Sequence, residues 1–248
     1  MSPESAKIVF YSIAAGAALL WLVGVLFMGA TTRRCRRTRL GDDPMDPSDS
    51  ADGFFTADMD SRPSGFRITG SVEIDGHPEV LANRAAAVLA SGSSPVGPVR
   101  IIEKTDRRIV FSTVNPPRQV RMQRKSIGPC QVKPATIEFQ PAGGGRTRVT
   151  FDAQLGVVGV LLKFGWGLII AGAAAIGIGG WAIATFVVTS DHAAVRGQAF
   201  QIFQAIHFLW PPFLFGGLAR LYHRTTGESL LAMIENLPYG EEGMTVRR

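Results

Sequence analysis

The stretch ATIEFQPAGGGRTRVTFDAQL, residues 135–155, alternates apolar and polar side chains on either side of three consecutive glycines. Its second half sets three apolar residues against three polar ones on opposite faces of an extended chain: Val149, Phe151 and Ala153 against Thr150, Asp152 and Gln154. Alternation with a period of two is typical of a strand with one buried face. Glycines between two such strands permit a tight turn. The stretch therefore predicts an antiparallel hairpin with one face turned toward a core.

A long apolar run follows this hairpin. Residues 164–188 carry no charge, and about 25 helical residues exceed the roughly 20 that a bilayer core requires. Residues 8–30 form another uncharged run, and the only charge in a third run, residues 199–222, is Arg220. The composition agrees, since 46% of the chain is hydrophobic and only 19% is charged. We therefore expect three transmembrane helices, one N-terminal and two inserted before a C-terminal helix.

Short strands and one helix precede the hairpin. Residues 66–75 alternate in the same way, and Pro78 opens a helical pattern over residues 79–91. Further strands are predicted at residues 99–103, 108–114 and 119–127. Short connections favour antiparallel pairing of such strands. Together they predict an α+β fold for residues 66–155.

One face of this sheet requires an apolar cover. The helix at residues 79–91 is short, so we expect a second helix at residues 227–237 to pack on the sheet through Leu230, Leu231, Ile234 and Leu237. The side chains predicted to point inward from the sheet are Val72, Ile74, Val110, Val149 and Phe151. They either line a cavity or form a packed core, and the pattern leaves both open.

The segment GSVEIDGHPEVLANRAAAVLA, residues 70–90, together with the hairpin at residues 135–155, resembles the helix-grip fold of the START-like (SRPBCC-type) superfamily. That superfamily includes polyketide cyclases and lipid-transfer domains. The resemblance rests on a strand that ends in a polar turn, a Pro-led helix and the later hairpin. It implies a helix-grip-like antiparallel sheet with one or two helices, and a cavity for an apolar ligand between the sheet and the terminal helix.

A basic flank follows the first apolar run and consists of Arg33, Arg34, Arg36, Arg37 and Arg39. Only Lys7 precedes that run, so the positive-inside rule predicts a multi-pass inner-membrane protein with a cytoplasmic sheet domain. Arg220 and Arg224 close the third run and predict a cytoplasmic C-terminus. We expect the flank to fix topology and contact membrane lipids, and we expect no nucleic-acid partner, although the net charge is +6.

These features divide the chain into five predicted segments. They are an N-terminal anchor over residues 1–40, an acidic disordered linker over 41–65, the sheet domain over 66–155, a two-span membrane hairpin over 156–225, and a C-terminal helix and tail over 226–248. The linker is assigned by its composition, because aspartates among Pro, Ser and Gly cannot bury enough apolar surface to fold.

Polar residues interrupt the third run. Gln201, Gln204 and His207 recur every three residues and therefore share a helix face. Polar side chains at membrane depth mark functional sites or bonds between helices. Pro211 and Pro212 remove two amide donors and predict a kink or break. In the second run, Ala173/Gly177 and Ala175/Gly179 predict close contact with the first anchor or with a second copy of the chain.

No catalytic, cofactor-binding or metal-binding motif stands in a suitable context, so we expect no cofactor, no metal and no catalytic residues. The leading hypothesis is a non-catalytic, membrane-anchored START-like module that binds a lipid or another apolar ligand at the cytoplasmic membrane face. The first alternative is a membrane assembly or interaction protein whose sheet domain has a filled core. The second is a cyclase- or hydrolase-like enzyme that uses the cavity.

Overall fold

The computed structural model describes residues 2–37, 39–40, 66–91, 96–114 and 132–239. The chain divides into two compact units. Residues Met1–Arg34 and Val160–Arg220 form one, which we name the membrane unit, and residues Cys35–Gly159 and Leu221–Arg248 form the sheet unit. The predicted linker at residues 41–65 and the predicted strand at residues 119–127 lie outside the described residues.

The helices and strands follow the order expected of an α+β chain. They are α1 (Pro3–Arg37), β1 (Arg39–Leu40), β2 (Arg67–Asp75), α2 (Pro78–Ala90), β3 (Val99–Lys104), β4 (Arg108–Thr113), β5 (Val132–Gly143), β6 (Arg146–Leu155), α3 (Gly156–Ala174), a 3₁₀ helix (Gly197–Phe208) and α4 (Pro211–Glu235). Pro78 is the first residue of α2, where its fixed backbone angle suits a helix start.

The sheet has the order β1-β2-β6-β5-β4-β3. Strands β2 to β6 form five antiparallel strands, and the two-residue β1 pairs in parallel with β2. Each residue of β2 pairs with one of β6, from Arg67 opposite Gln154 to Asp75 opposite Arg146. The first and last long strands of the domain are therefore neighbours, and the α+β prediction is confirmed.

The β5–β6 turn is tighter than the predicted turn at residues 141–145. Strand β5 continues to Gly143, which pairs with Arg146, so only Gly144 and Gly145 form the loop. Their φ angles are +61° and +79°, which glycine adopts without steric cost and which match the twist of a two-residue hairpin. The Thr147 hydroxyl donates to the Gly76 carbonyl at 2.6 Å and joins the hairpin to the turn before α2.

The inner face of the sheet is filled with apolar side chains. Those that are at least 97% buried are Ile68, Ile109, Phe111, Ala135, Ile137, Phe139, Val149, Phe151, Ala153 and Leu155. The prediction that Val110 points inward is wrong, because the register sets Val110 opposite Thr136, and Thr136 opposite Asp152, on the outer face. Because Ile109, Val110 and Phe111 are all apolar, the sequence pattern does not show which of them points inward.

The predicted separate helix at residues 227–237 is the end of the longer helix α4, which begins at Pro211 and ends at Glu235. Buried side chains here include Leu230, Met233 and Ile234 of α4 and Leu237 just beyond its end, while Leu231, predicted to be buried, is half-buried. The Arg84 guanidinium of α2 donates to the carbonyls of Leu237 and Pro238 at 3.1 and 2.8 Å. The last turns of α4 thus belong to the sheet unit, in agreement with the prediction that a C-terminal helix packs on the sheet.

Among the described residues, three helical stretches are long and apolar enough to cross a membrane: Pro3–Arg36, Gly156–Val188 and Ala193–Tyr239. Helix α3 begins directly after β6 and continues through two π-helical segments, Ala175–Gly179 and Ile183–Val188. In the third stretch, the 3₁₀ helix ends at Phe208 and α4 begins at Pro211. The predicted break at the two prolines is confirmed, although it separates two kinds of helix instead of bending one.

Close packing in the membrane unit depends on glycines. A Cβ atom at Gly216 would lie 2.5 Å from Phe27 Cε1, and one at Gly172 would lie 2.9 Å from Leu209 Cδ2. The predicted close-contact positions Gly177 and Gly179 have no atom within 4 Å of such a Cβ. Helices α1 and α3 therefore approach each other and α4 at other glycines, and contact with a second copy at residues 173–179 stays a prediction.

Candidate functional site

The polar residues of the third span lie on a 3₁₀ helix, which has three residues per turn. Residues three apart therefore stand directly above one another, in one straight line. Gln201, Gln204 and His207 form such a line, and Gln198 extends it by one turn. All four side chains are exposed, and we name them the polar row. Sequence reasoning missed Gln198, although the same three-residue spacing includes it.

The other two lines of this helix are apolar. Ala199 and Ile202 are buried against Ala6 and Phe10 of α1 and against Val188. Phe200 and Phe203 form the third line and are 58% and 57% exposed. The buried line fixes the rotation of the helix, so that the polar row and the two aromatic residues face outward.

Contacts within the membrane unit give the depth of the polar row. Ile202 packs beside Phe10 and Val188, which lie near the ends of their spans. The Leu209 side chain lies next to Gly172, and Trp21 is also close to that glycine. Gly172 and Trp21 are near the middle of their helical stretches. The polar row therefore extends from one end of the spanning region to its middle, with His207 deepest.

No side chain of the polar row makes a hydrogen bond to another residue that the structure describes. By contrast, the part-buried indole donors of two tryptophans in the membrane unit are satisfied: Trp21 Nε1 donates to the Ile169 carbonyl at 3.0 Å and Trp166 Nε1 donates to Thr32 Oγ1 at 3.2 Å. Polar groups within a bilayer carry a cost unless they are bonded. The row thus presents polar side chains without hydrogen bonds on a helical stretch that is apolar enough to cross a membrane.

The basic flank lies at the end of α1. Arg33, Arg34 and Arg36 are exposed, and the Arg36 guanidinium carbon is 5.9 Å from the Phe66 ring centroid. Arg37 ends α1 and Arg39 begins β1, but their side chains lie outside the described part of the chain. The sidedness that the flank predicts stays a prediction.

A shallow hollow of about 290 Å³ lies on α3, lined by Lys163, Phe164, Gly167 and Leu168. Gly167 forms its floor, since no atom lies within 4 Å of a Cβ there. The hollow thus combines an apolar floor with a cationic end.

The outer face of the sheet carries paired charges. Glu73 accepts from Arg148 at 2.8 Å, and Asp75 accepts from Arg146 at 3.3 Å. A longer pair joins Arg67 to Asp152 at 3.5 Å, and burial raises the pKa of the Asp152 carboxyl against the opposing effect of Arg67.

The second longer pair joins Arg108 to Glu138 at 3.8 Å. Burial likewise raises the pKa of Glu138, and Arg108 opposes the shift. These carboxylates occupy a face whose residues pair with one another, and they do not converge on a cavity.

A second hollow, of about 390 Å³, lies at the start of α2 and is lined by His77, Pro78, Glu79, Val80, Arg107 and Pro141. His77, Glu79 and Arg107 are all exposed to solvent, so nothing there excludes water from an acid–base pair. Within the described residues, no group of three or more His, Cys, Asp or Glu side chains is placed to hold a metal ion.

Comparisons of the chain with protein-family models, with curated proteins and with solved structures find no match. The function must therefore be argued from these residues.

Proposed function

We propose that this protein is a membrane assembly protein, in which the membrane unit binds another membrane-embedded chain and the sheet unit is a solid body without catalytic activity. The observation that carries this proposal is the filled inner face of the sheet. Its central side chains, including Ile137, Phe139 and Val149, are fully buried. A sheet that encloses a ligand instead leaves a hollow of several hundred cubic ångströms between its strands and helices.

The START-like resemblance stays part of the proposal as a statement about the fold. Two features support it: β2 lies beside β6 in the order β2-β6-β5-β4-β3, and a Pro-led helix follows β2. The C-terminal turns of α4 supply the second helix of the sheet unit. Leu230 and Ile234 of these turns are at least 99% buried, which favours a packed interior over a ligand cavity.

Lipid binding is the second candidate, and the hollow beside Lys163 favours it. An acyl chain fits along Phe164, Gly167 and Leu168, and an anionic headgroup fits beside the Lys163 ammonium. A lipid seat of this kind lies on the outside of the membrane unit, and it requires no cavity in the sheet unit.

Light scattering of the full-length protein in detergent tests the leading proposal. The expected result is a complex larger than one 26.7 kDa chain, together with no saturable binding of a fluorescent fatty acid. A monomer that binds one fatty acid per chain would contradict the proposal and restore the cavity hypothesis.

Native mass spectrometry with anionic and zwitterionic lipids tests the second candidate, since Lys163→Ala should remove the preference for anionic lipid. An unchanged preference would dismiss that seat.

A further inference from the structure

We infer that the polar row, Gln198, Gln201, Gln204 and His207, is the surface through which two copies of this chain associate in the membrane, with the same residues facing each other across a two-fold axis. The inference rests on the proposed function and adds to it the residues and the partner. The first step is geometric. At about 2.0 Å of rise per residue, the row is a straight line of about 18 Å, roughly half of a bilayer.

The helix type decides whether these four residues can serve one contact. In an α-helix, residues three apart are offset by about 60°, so that Gln198 and His207 would point in opposite directions. In the 3₁₀ helix they point the same way. The burial of Ala199 and Ile202 holds this orientation and leaves the row at the surface of the membrane unit.

The chemistry of the row selects a second copy as the partner. A glutamine amide carries both donors and acceptors, and a neutral histidine carries one of each. Identical residues that meet across a two-fold axis can therefore satisfy each other. The row contains no Lys, Arg, Asp or Glu, so it does not require a partner of opposite charge. Hydrogen bonds between helices stabilise their association in lipid.

The neighbouring line of the same helix provides a matched control. Phe200 and Phe203 lie at the depth of the row, and in a 3₁₀ helix adjacent residues point about 120° apart. Both are exposed, as are Gln201 and Gln204. A contact through the row should therefore exclude them, although they occupy the same stretch of membrane.

Cysteine cross-linking of the full chain in native membranes tests this inference. In a background where Cys35 and Cys130 are replaced by Ala, single cysteines are placed at 198, 201, 204 and 207, and at 200 and 203 as controls, and are oxidised with copper-phenanthroline. We expect covalent dimers from all four row positions and at most trace dimers from the two controls. Dimers from only one end of the row, or from the controls instead, would overturn the inference.

Substitution of the amides gives an independent readout. Gln201→Leu together with Gln204→Leu should raise the dimer dissociation constant in nanodiscs or detergent about tenfold. The double Asn variant, which keeps the amides, should retain most of the affinity, and Phe203→Leu should leave it unchanged. Equal affinity of the Leu and wild-type chains would overturn the inference.

Two further outcomes separate this inference from the proposed function. A complex that persists in light scattering without cross-links at the row would refute the row and leave the assembly proposal standing. A monomer by both methods would refute both. Labelling of a His207→Cys thiol by a membrane-impermeant maleimide would show that the row faces water, and would also overturn the inference.

Discussion

In the sheet unit, the charged side chains of the outer face stand beside partners of opposite sign, such as Arg148 beside Glu73 and Arg146 beside Asp75. In the membrane unit, the polar row has no partner among the described residues. Water solvates the outer face of the sheet, so unpaired charges there would cost little, and yet these charges are paired within the chain. Polar side chains on a helix that could cross a membrane need hydrogen-bond partners more, and the row has none among the described residues. This difference is the reason why we propose that the membrane unit, and not the sheet unit, binds another chain.

Reporter fusions test on which side of the membrane the sheet unit and the C-terminus lie, and the expected difference is between an active and a silent reporter. Because Arg33, Arg34 and Arg36 follow the first span, a phosphatase reporter that is active only outside the cytoplasm should be silent when fused after residue 65 or after residue 248. The same reporter should be active when inserted within residues 190–197. An active fusion after residue 65 would reverse the assigned topology.

The next effect separates a buried from an exposed aromatic residue. Phe139 is fully buried in β5, so Phe139→Ala should lower the free energy of unfolding of the sheet unit by about 3–5 kcal/mol. Phe203→Ala should change the free energy of unfolding of the membrane unit by less than about 0.5 kcal/mol, because the Phe203 ring is exposed. Limited proteolysis of the full chain during heating compares the two. Equal protease sensitivity would show that the sheet core is loosely packed.

A smaller effect separates two adjacent glycines in α4. Gly216→Leu should destabilise the membrane unit by about 1–3 kcal/mol, because its side chain would enter space occupied by Phe27 and Met28. Gly217→Leu should be nearly neutral, because nothing lies within 4 Å of a Cβ there. Unfolding in mixed detergent micelles measures both. A penalty at Gly217 as large as that at Gly216 would show that the helices pack through a different face.

The smallest effect concerns pH and the sheet unit. Since burial raises the folded-state pKa values of Asp152 and Glu138, their ionised forms are disfavoured in the folded state. The stability that these groups contribute is therefore present at low pH and is lost as the pH rises through the folded-state values. Circular dichroism of the melting β-structure should show Asp152→Asn reducing this loss by no more than about 1 kcal/mol. A steeper loss of stability with pH in the Asp152→Asn variant would mean that the folded-state pKa of Asp152 is lowered in the wild-type chain, and would contradict this prediction.

Period-two alternation was enough to predict β2 and β6, because each strand has one filled and one charged face. It was not enough for β4, where Ile109, Val110 and Phe111 are all apolar and the register alone shows which of them points outward. Paired strands supply the missing information, since each strand's facing is fixed by its neighbour.

Apolar composition located the three spans, but it did not predict their helix types. The sequence does not distinguish a 3₁₀ helix over residues 197–208 from an α-helix, because both place residues three apart near one face. The pattern also predicted a separate helix at residues 227–237, whereas the residues up to Glu235 are the end of the longer helix α4. Pro211 marks a helix start as well as a break, and the start was the part that pattern analysis missed.

Native mass spectrometry of the full-length protein, released from lipid nanodiscs, tests whether the chain forms a dimer without a bound apolar ligand. We predict a dimer of two 26.7 kDa chains that retains no apolar molecule, and whose dissociation constant rises about tenfold when Gln201 and Gln204 are replaced by Leu. A monomer that holds one apolar molecule per chain, and that loses it when the inner-face residue Phe151 is replaced by Asp, would contradict the account.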